Sequence, residues 1–208
     1  TGAGHGLQIE AFSAGCVVTL LNTAGTSDAG HGVYLLTLPG VTASLTNVAG
    51  ESLATAGSGN GVRVEDLFAT STLDFSGVSG ISGASLGIFL STIADTVVTI
   101  GSSTSAVGKT NGMEANGFSG ASALTISASS FTGEGHGLFV TSFTGTGCPL
   151  SLTDVDADST GSADGILVLT TGSSVTVIDS AAASDSGNAL KLDTLTIALI
   201  FVCACCVG

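Results

Sequence analysis

Short stretches in which apolar and polar residues alternate recur along the chain, and each follows a tight turn. The second residues of these turns lie 24 to 29 residues apart. A regular period of this length, built on turns and short alternating segments, is typical of a solenoid, in which each repeat stacks on the one before it. The clearest turns are Gly4-His5-Gly6-Leu7, Gly30-His31-Gly32-Val33, Gly59-Asn60-Gly61-Val62 and Gly135-His136-Gly137-Leu138, and weaker copies are Ser85-Leu86-Gly87-Ile88, Thr110-Asn111-Gly112-Met113, Ala163-Asp164-Gly165-Ile166 and Gly187-Asn188-Ala189-Leu190.

Most repeats contain two alternating segments, and a period of two residues predicts β-strands. The rest of each repeat is rich in Gly, Ser, Asn, Asp and Ala, which predicts turns. Because no stretch carries apolar residues at helical spacing, helical repeats are excluded. The first segments are Leu7-x-Ile9, Val33-x-Leu35, Val62-x-Val64, Ile88-x-Leu90, Met113-x-Ala115, Leu138-x-Val140, Ile166-x-Val168 and Leu190-x-Leu192. The second segments are Val18-Thr19-Leu20, Ala43-Ser44-Leu45, Leu73-Asp74-Phe75, Val98-Thr99-Ile100, Leu124-Thr125-Ile126, Leu150-Ser151-Leu152 and Val175-Thr176-Val177.

Stacking these repeats in register predicts an all-β fold, a single parallel β-helix of about eight coils. Its apolar residues form inward ladders, and the residues between them form outward ladders. At a coil spacing of roughly 4.8 Å the rod is on the order of 40 Å long. The middle residues of the second segments form an outward hydroxyl ladder, which one carboxylate, Asp74, interrupts: Thr19, Ser44, Thr99, Thr125, Ser151 and Thr176.

With these turns and ladders, residues 1–195 resemble the right-handed parallel β-helix repeat proteins. That group holds pectate-lyase-like superhelices, polymorphic outer-membrane-protein repeats and adhesin passengers. The turn motif follows from the geometry of the fold, so the resemblance implies an architecture and no particular activity. Residues 196–208 form a separate apolar, cysteine-rich terminal coil or tail.

The charge of the chain is strongly one-sided, with 16 acidic residues, three Lys or Arg and a net charge of −13. Nucleic acids and anionic lipid surfaces are therefore excluded as partners, because both are bound through lysine and arginine. Few cations and many hydroxyl side chains favour an extracellular or cell-surface location. The chain opens on a repeat turn without a signal-peptide pattern, which indicates a mature product or a segment of a longer protein.

The apolar run from Leu195 to Val202 has three interpretations. It is too short for a transmembrane helix, which needs roughly 20 residues, so direct membrane insertion is not expected. A lipid-anchor signal carries a polar spacer before its apolar end, and none is found here. We favour a final β-coil whose sequence has drifted from the repeat. An uncovered apolar edge there, and another at the first coil, predict pairing with further copies of the chain.

Five cysteines are distributed unevenly. Cys16 and Cys148 both precede a second segment, but five coils separate them, roughly 24 Å, so they cannot form a disulfide within one chain. We interpret both as small buried apolar residues. Cys203, Cys205 and Cys206 crowd the end of the chain, where a metal site has little support without histidine. With Cys16 they are candidates for disulfides between assembled copies.

The sequence shows no constellation of acid, base and nucleophile, so we predict that the chain is not an enzyme. Arg63 is the only arginine, and the coils on either side carry no outward carboxylate to match Glu65 or Asp66. The three histidines share one turn position with Asn and Asp, which indicates a structural role in left-handed turns. That position holds His5, His31, Asn60, Asn111, His136, Asp164 and Asn188.

One segment suggests ion binding. Asp154, Asp156 and Asp158 alternate along the chain, so in an extended strand their carboxylates project to one side, where a calcium ion could bridge them. The glycine and glutamate of a full calcium loop are absent, and a solvated acidic turn is the alternative. No other cofactor is expected.

Three classes of function remain. The first is a structural module of an extracellular or cell-surface fibre that assembles head-to-tail through uncapped β-helix ends. The second is a binding module, either an adhesin stalk or an ice-binding face on the hydroxyl ladder. The third, a degenerate polysaccharide lyase, ranks last because no catalytic group is found. Glycans are a further expected partner, because surface hydroxyl groups allow attachment through oxygen. Sugar linked to nitrogen is not expected, since the chain contains no Asn-x-Ser/Thr site.

Overall fold

The computed structural model describes residues 4–10, 12–144, 147–170, 173–193, 199–202 and 205–207, and of Thr170, 199–202 and 205–207 it describes the backbone. Within these ranges every regular element is a β-strand. A search of the same ranges finds no helix that could span a membrane. The strands are β1 (Leu7–Glu10), β2 (Val17–Leu21), β3 (Ala24–Ser27), β4 (Val33–Pro39), β5 (Thr42–Thr46), β6 (Ala49–Ser52), β7 (Val62–Phe68), β8 (Thr72–Ser76), β9 (Ser79–Ser82), β10 (Ile88–Ala94), β11 (Val97–Gly101), β12 (Ser105–Gly108), β13 (Met113–Ser119), β14 (Ala123–Gly133), β15 (Leu138–Phe143), β16 (Leu150–Ser159), β17 (Ile166–Thr170), β18 (Val175–Ile178), β19 (Ala181–Ser184), β20 (Leu190–Asp193), β21 (Leu199–Val202) and β22 (Cys205–Val207).

These strands stack in parallel into three ladders that wind around one core. The first ladder is an eight-stranded sheet in the order β1-β4-β7-β10-β13-β15-β17-β20. The second ladder runs β2-β5-β8-β11, then through the first halves of β14 and β16 to β18 and β21. The third runs β3-β6-β9-β12, then through the second halves of β14 and β16 to β19 and β22. The predicted all-β parallel solenoid is thereby confirmed, with about seven turns where the sequence suggested about eight coils.

The sequence predicted two strands in each coil, and the structure has three. In β3, β6 and β9 the third strand passes so close to the turn before the first strand that glycine occupies its first inward position. A Cβ atom on Gly32 would lie 2.1 Å from the amide nitrogen of Glu51, and one on Gly50 would lie 2.2 Å from the carbonyl oxygen of Gly61. Without apolar inward residues, β3, β6 and β9 show no alternating pattern. The repeated turn glycines therefore permit close packing of the backbone.

The core consists of the inward columns predicted from the sequence. Val33, Val62, Ile88, Met113 and Leu138 occupy successive positions of one column and are fully buried. At the two ends of the first ladder, Leu7 and Leu190 are partly buried and pack against this core. The rings of Phe118 and Phe143, from adjacent coils, stack with centroids 4.4 Å apart.

Left-handed residues turn the chain at the same place in successive coils. At the corner between the second and third strands, one column of residues has a positive φ, from 45° at Ala128 to 62° at Gly77, and Ser103 beside it has a φ of 67°. Most of these residues are Asn, Asp, Ser or Gly, which tolerate that conformation. The column contains Asn22, Asn47, Gly77, Ser102, Ala128, Asp154 and Asp179.

A buried column of small polar residues lies just before the second strand. Ser71 Oγ donates to the carbonyl oxygen of Leu38 at 2.7 Å and accepts the Val41 amide at 3.1 Å. Cys148 occupies the equivalent position, is fully buried and donates its thiol to Gly120 O at 3.1 Å. These side chains pair backbone groups that the turn would otherwise leave unpaired inside the protein.

The described part of the apolar run near the end of the sequence, Leu199–Val202, continues the solenoid. β21 pairs with β18, which places Ile200 opposite Thr176 of the hydroxyl ladder. β22 pairs with β19, with Cys205 opposite Ala181 and Cys206 opposite Ala182. Cys203 lies outside the described residues.

Candidate functional site

The main group of interacting polar side chains covers coils one to four at the outer face of the first ladder. Tyr34, Arg63 and Phe89 occupy one outward column of β4, β7 and β10. Glu65 and Ser91 occupy the next column along the same strands. With the turn residues His5 and His31, these side chains form what we call the Arg63 cluster.

Glu65 is the centre of the Arg63 cluster. Its Oε2 accepts a 2.7 Å hydrogen bond from Tyr34 Oη, in the coil before it. Its Oε1 accepts from Arg63 Nη2 at 2.5 Å and from Ser91 Oγ, in the coil after it, at 3.1 Å. One carboxylate thus connects three coils.

The guanidinium of Arg63 lies between two aromatic rings. It is 5.7 Å from the ring centroid of Tyr34 and 5.2 Å from that of Phe89, within the range of cation–π attraction. The side chains of Arg63 and Glu65 are only 23% and 17% exposed. Arg63 Nε is buried, and the described part of the chain provides no hydrogen-bond acceptor for it.

The ionisation of the Arg63 cluster follows from its contacts. Burial opposes the charge on Glu65, but the hydrogen bonds from Arg63 and Tyr34 outweigh it and lower the pKa of Glu65. Burial, and then the hydrogen bond to Glu65, raise the pKa of Tyr34 to about 12. At neutral pH the carboxylate is therefore ionised and the phenol protonated. Because both oxygens of Glu65 already accept hydrogen bonds within the protein, this carboxylate is poorly placed to serve as a general base.

The turn residues before the first strands link successive coils through their side chains. His5 Nδ1 accepts the amide of His31 at 3.0 Å, and His31 Nδ1 accepts the amide of Asn60 at 2.9 Å. Further along, Asn111 Oδ1 accepts the amide of His136 at 2.9 Å, and His136 Nδ1 accepts that of Asp164 at 3.1 Å. We call this column the turn-acceptor ladder.

The explanation that the sequence suggested for this turn position is wrong. None of its His, Asn or Asp residues in the described ranges has a positive φ. These residue types recur because each offers a nitrogen or oxygen acceptor at the height of the next coil's amide.

The hydroxyl ladder lies in register on the outer face of the second ladder. Thr99 is opposite Thr125, Thr125 opposite Ser151, and Ser151 opposite Thr176. In the column beside it, Val17 is 71% exposed and Val97 is 49% exposed. The face therefore mixes hydroxyl groups with apolar ones, and Asp74 interrupts it between Ser44 and Thr99.

The structure does not bring the three aspartates of the suggested calcium site to one side. Asp154 is a left-handed corner residue with a φ of 54°, so the chain turns between it and Asp156. Asp156 and Asp158 lie on the third strand, where burial and then the charge of Asp156 raise the pKa of Asp158. Among the residues that the structure describes, no three His, Cys, Asp or Glu side chains form a group that could hold a metal ion. The geometry thus corrects the extended-strand assumption on which the calcium prediction depended.

Cys16 and Cys148 are free thiols. Cys148 is fully buried, whereas Cys16 is partly buried against the core. Since the side chains of Cys205 and Cys206 are not among those described, the suggested disulfides between copies stay predictions.

A surface groove of about 530 Å³ lies where the first ladder turns into the second. Thr70, Thr72, Asp95 and Val97 are among its lining residues. Asp95 Oδ1 accepts the amide of Ala121 at 2.9 Å, so the carboxylate in this groove holds the next turn in place. Among the described residues, Asp95 is the only ionisable one that lines it.

Comparison of the chain with models of protein families, with curated proteins and with solved structures gives no match.

Proposed function

We propose that this chain is a non-catalytic structural module of an extracellular or cell-surface fibre, which lengthens head-to-tail by strand pairing between copies. The observation that carries the proposal is the regular register of the first ladder, in which eight strands stack in parallel in one sheet. A solenoid of this kind extends by adding coils at its ends, because each coil contacts only its neighbours.

The first coil supports an end-to-end contact. β1 pairs only with β4, so one edge of β1 has no partner among the described strands. Leu7 and Ile9 are partly buried there, whereas their partners Val33 and Leu35 are fully buried. Covering this edge with the last coil of a second copy would bury both apolar side chains and pair their backbone.

The polar chemistry of the surface supports a structural role. In the Arg63 cluster the carboxylate of Glu65 joins three coils, and the side chains of the turn-acceptor ladder likewise join neighbouring coils. Of the three cationic side chains, Arg63 pairs with Glu65 and Lys109 pairs with Glu134. With a net charge of −13, a surface of this kind is unsuited to nucleic acid. Exposed hydroxyl groups remain available for attached or bound glycans.

The proposal is tested by blocking the open edge of β1. The Leu7 amide donates to Gly32 O in β4's coil, so the alternate amide of Gln8 points to the open edge. Gln8→Pro deletes that amide without touching the pairing with β4, and Gln8→Ser is the matched control. We expect wild type and Gln8→Ser to form rods in electron microscopy at micromolar concentration and Gln8→Pro to remain monomeric by light scattering. Monomeric wild-type protein under these conditions contradicts head-to-tail assembly.

A binding module is the second candidate, because the hydroxyl ladder includes four consecutive side chains in register, from Thr99 to Thr176. Evenly spaced hydroxyl groups can match an ordered surface such as ice. The exposed valines and Asp74 make this face less uniform than such a match requires, so we rank it below the fibre module.

A further inference from the structure

The contact between the second and third coils depends on a neutral imidazole, that of His31. His31 Nδ1 accepts the Asn60 amide at 2.9 Å, and that nitrogen must therefore carry a lone pair. In a neutral imidazole the proton is then on Nε2. The hydrogen bond from the Asn60 backbone amide therefore determines the tautomer of His31.

The second nitrogen of the same ring meets another donor. His31 Nε2 lies 3.3 Å from Arg63 Nη1, and the protonated Nε2 and the guanidinium have no lone pair to share. His31 is only 6% exposed, so water has little access to either nitrogen. The ring thus lies between two hydrogen-bond donors, the Asn60 amide and the Arg63 guanidinium, and its single lone pair can accept from only one of them.

The charges around His31 oppose a second proton. Its ring stacks on His5 with centroids 4.8 Å apart and meets the edge of Tyr34 at 5.0 Å. The guanidinium of Arg63 faces it from β7, and only Glu65, already paired with Arg63, would favour a positive charge. Burial, then Arg63, and then His5 lower the pKa of His31 to about 4.

From this geometry we infer that His5, His31 and Asn60 form an acid-sensitive latch, which holds the turn of the second coil on that of the third and loosens when His31 is protonated. Protonation places a hydrogen on Nδ1, so the Asn60 amide loses its acceptor and the ring gains a charge beside Arg63. The turns around His31 and Asn60 then separate to let water reach the imidazolium.

The direction of the pH effect follows from linkage. A histidine whose pKa is lower in the closed state than in the open state binds its proton preferentially when the latch is open. The latch is therefore fully closed above the ordinary histidine pKa and loosens as the pH falls from there toward 4. Between about pH 7 and pH 4.5, the equilibrium constant for opening rises by roughly 10- to 100-fold.

Hydrogen exchange measured by mass spectrometry tests the latch, with protection factors corrected for the chemical exchange rate at each pH. In wild-type protein we expect peptides covering 28–36 and 57–66 to lose protection by about 10- to 100-fold between about pH 7 and pH 4.5. A peptide covering 124–132, in the middle of the rod, is the internal reference and should lose much less.

The deciding variant is His31→Asn. Asn60 and Asn111 show that asparagine serves as an acceptor at this turn position, so the variant retains an acceptor without a titrating ring. We expect His31→Asn to abolish the loss of protection in acid and the matched control His136→Asn to retain it. An equal loss in His31→Asn and wild type would overturn the inference.

A second measurement on wild-type protein applies even if that variant folds poorly. Nitrogen NMR of the histidine rings should show His31 with its proton on Nε2 at neutral pH and a titration midpoint below that of an ordinary histidine. A proton on Nδ1, or a midpoint at about 6.5 or above, contradicts the latch.

Discussion

The outer faces of the first and second ladders differ in how their side chains interact, although the backbone stacks in the same way beneath both. On the first ladder, Tyr34 contacts Glu65 diagonally across two coils, and Arg63 contacts the same carboxylate from two residues away on its own strand. On the second, Thr99, Thr125 and Ser151 follow one another in a single column, and the described hydrogen bonds of the chain include none from their hydroxyl groups.

Side-chain length explains this difference. Coils lie roughly 4.8 Å apart, and a position two residues along the neighbouring strand is farther still. Tyrosine, arginine and glutamate can span that diagonal, whereas serine and threonine reach only their immediate surroundings. On the outer face of the second ladder, the short hydroxyl side chains therefore add no bond between coils to those of the backbone. On the outer face of the first ladder, the long side chains add hydrogen bonds between coils.

The largest expected effect comes from the core that both faces cover. Val98 is fully buried under the hydroxyl ladder, and Val98→Asp places a carboxylate there without a partner. We expect the free energy of unfolding to fall by several kcal/mol, enough to unfold the rod. Thr125→Asp, an outward position in the next strand of the same ladder, is the control and should leave the fold intact. Circular dichroism with urea titration gives the comparison, and equal losses would contradict the inward and outward assignment.

A smaller loss of stability is expected from a variant on the outer face of the first ladder, and a variant on the second ladder provides the comparison. Glu65→Gln retains the shape of the side chain but removes the charge that Arg63, Tyr34 and Ser91 share. Because hydrogen bonds to charged groups are stronger than neutral ones, we expect a loss of roughly 1–3 kcal/mol in the free energy of unfolding. Ser151→Ala on the hydroxyl ladder should change it by less than about 0.5 kcal/mol. If urea titration gives the same value for both variants, the Arg63 cluster contributes no more than an ordinary surface.

The single tyrosine of the chain reports on the Arg63 cluster without interference from tryptophan. Its ultraviolet absorbance after a rapid pH jump, recorded before the protein unfolds, should titrate at about 12 in the wild type. Glu65→Gln should lower this midpoint toward the ordinary value of about 10, because it removes the negative charge beside the phenol and replaces a charged acceptor with a weaker neutral one. Asp154→Asn, on another face, is the control. A wild-type midpoint near 10 would show that Tyr34 is not hydrogen-bonded to Glu65.

The smallest effect is expected on the hydroxyl ladder itself. Replacing Thr99 and Thr125 by Tyr changes two outward positions that do not contact the core, so stability should remain nearly the same. We also expect neither the wild type nor this variant to show thermal hysteresis or ice shaping. Ice shaping by the wild type that the double variant loses would instead support the binding module.

The sequence predicted most of the fold because apolar alternation marks the strands whose inward residues are large. Val98 and Ile100 could be placed inside and Thr99 outside from their order alone, and their register with Leu124 and Ile126 followed from the repeat. The third strand could not be found in this way, since Gly50 and Gly80 mark a close backbone approach that no periodicity reveals.

The candidate site was only partly predictable. Alignment of the repeats places Tyr34, Arg63 and Phe89 in one column, and this signal was present in the sequence. The diagonal contact between Tyr34 and Glu65 depends on side-chain conformations, which an alignment does not contain. For Asp154, alternation suggested an extended strand, but the left-handed corner at that residue follows from its place in the coil.

The hydrogen bonds that join the coils point along the axis of the rod, and this direction determines how the rod responds to force. Tension between the two ends stretches all the bonds of one coil interface at once, so they share the force, whereas a sideways pull on one corner separates them in sequence. Under tension the rod breaks at the interface with the smallest summed strength. The hydrogen bond that the Asn60 amide donates to His31 Nδ1 adds to the strength of its interface, so the force needed to separate the second and third coils should be lower in acid than at neutral pH.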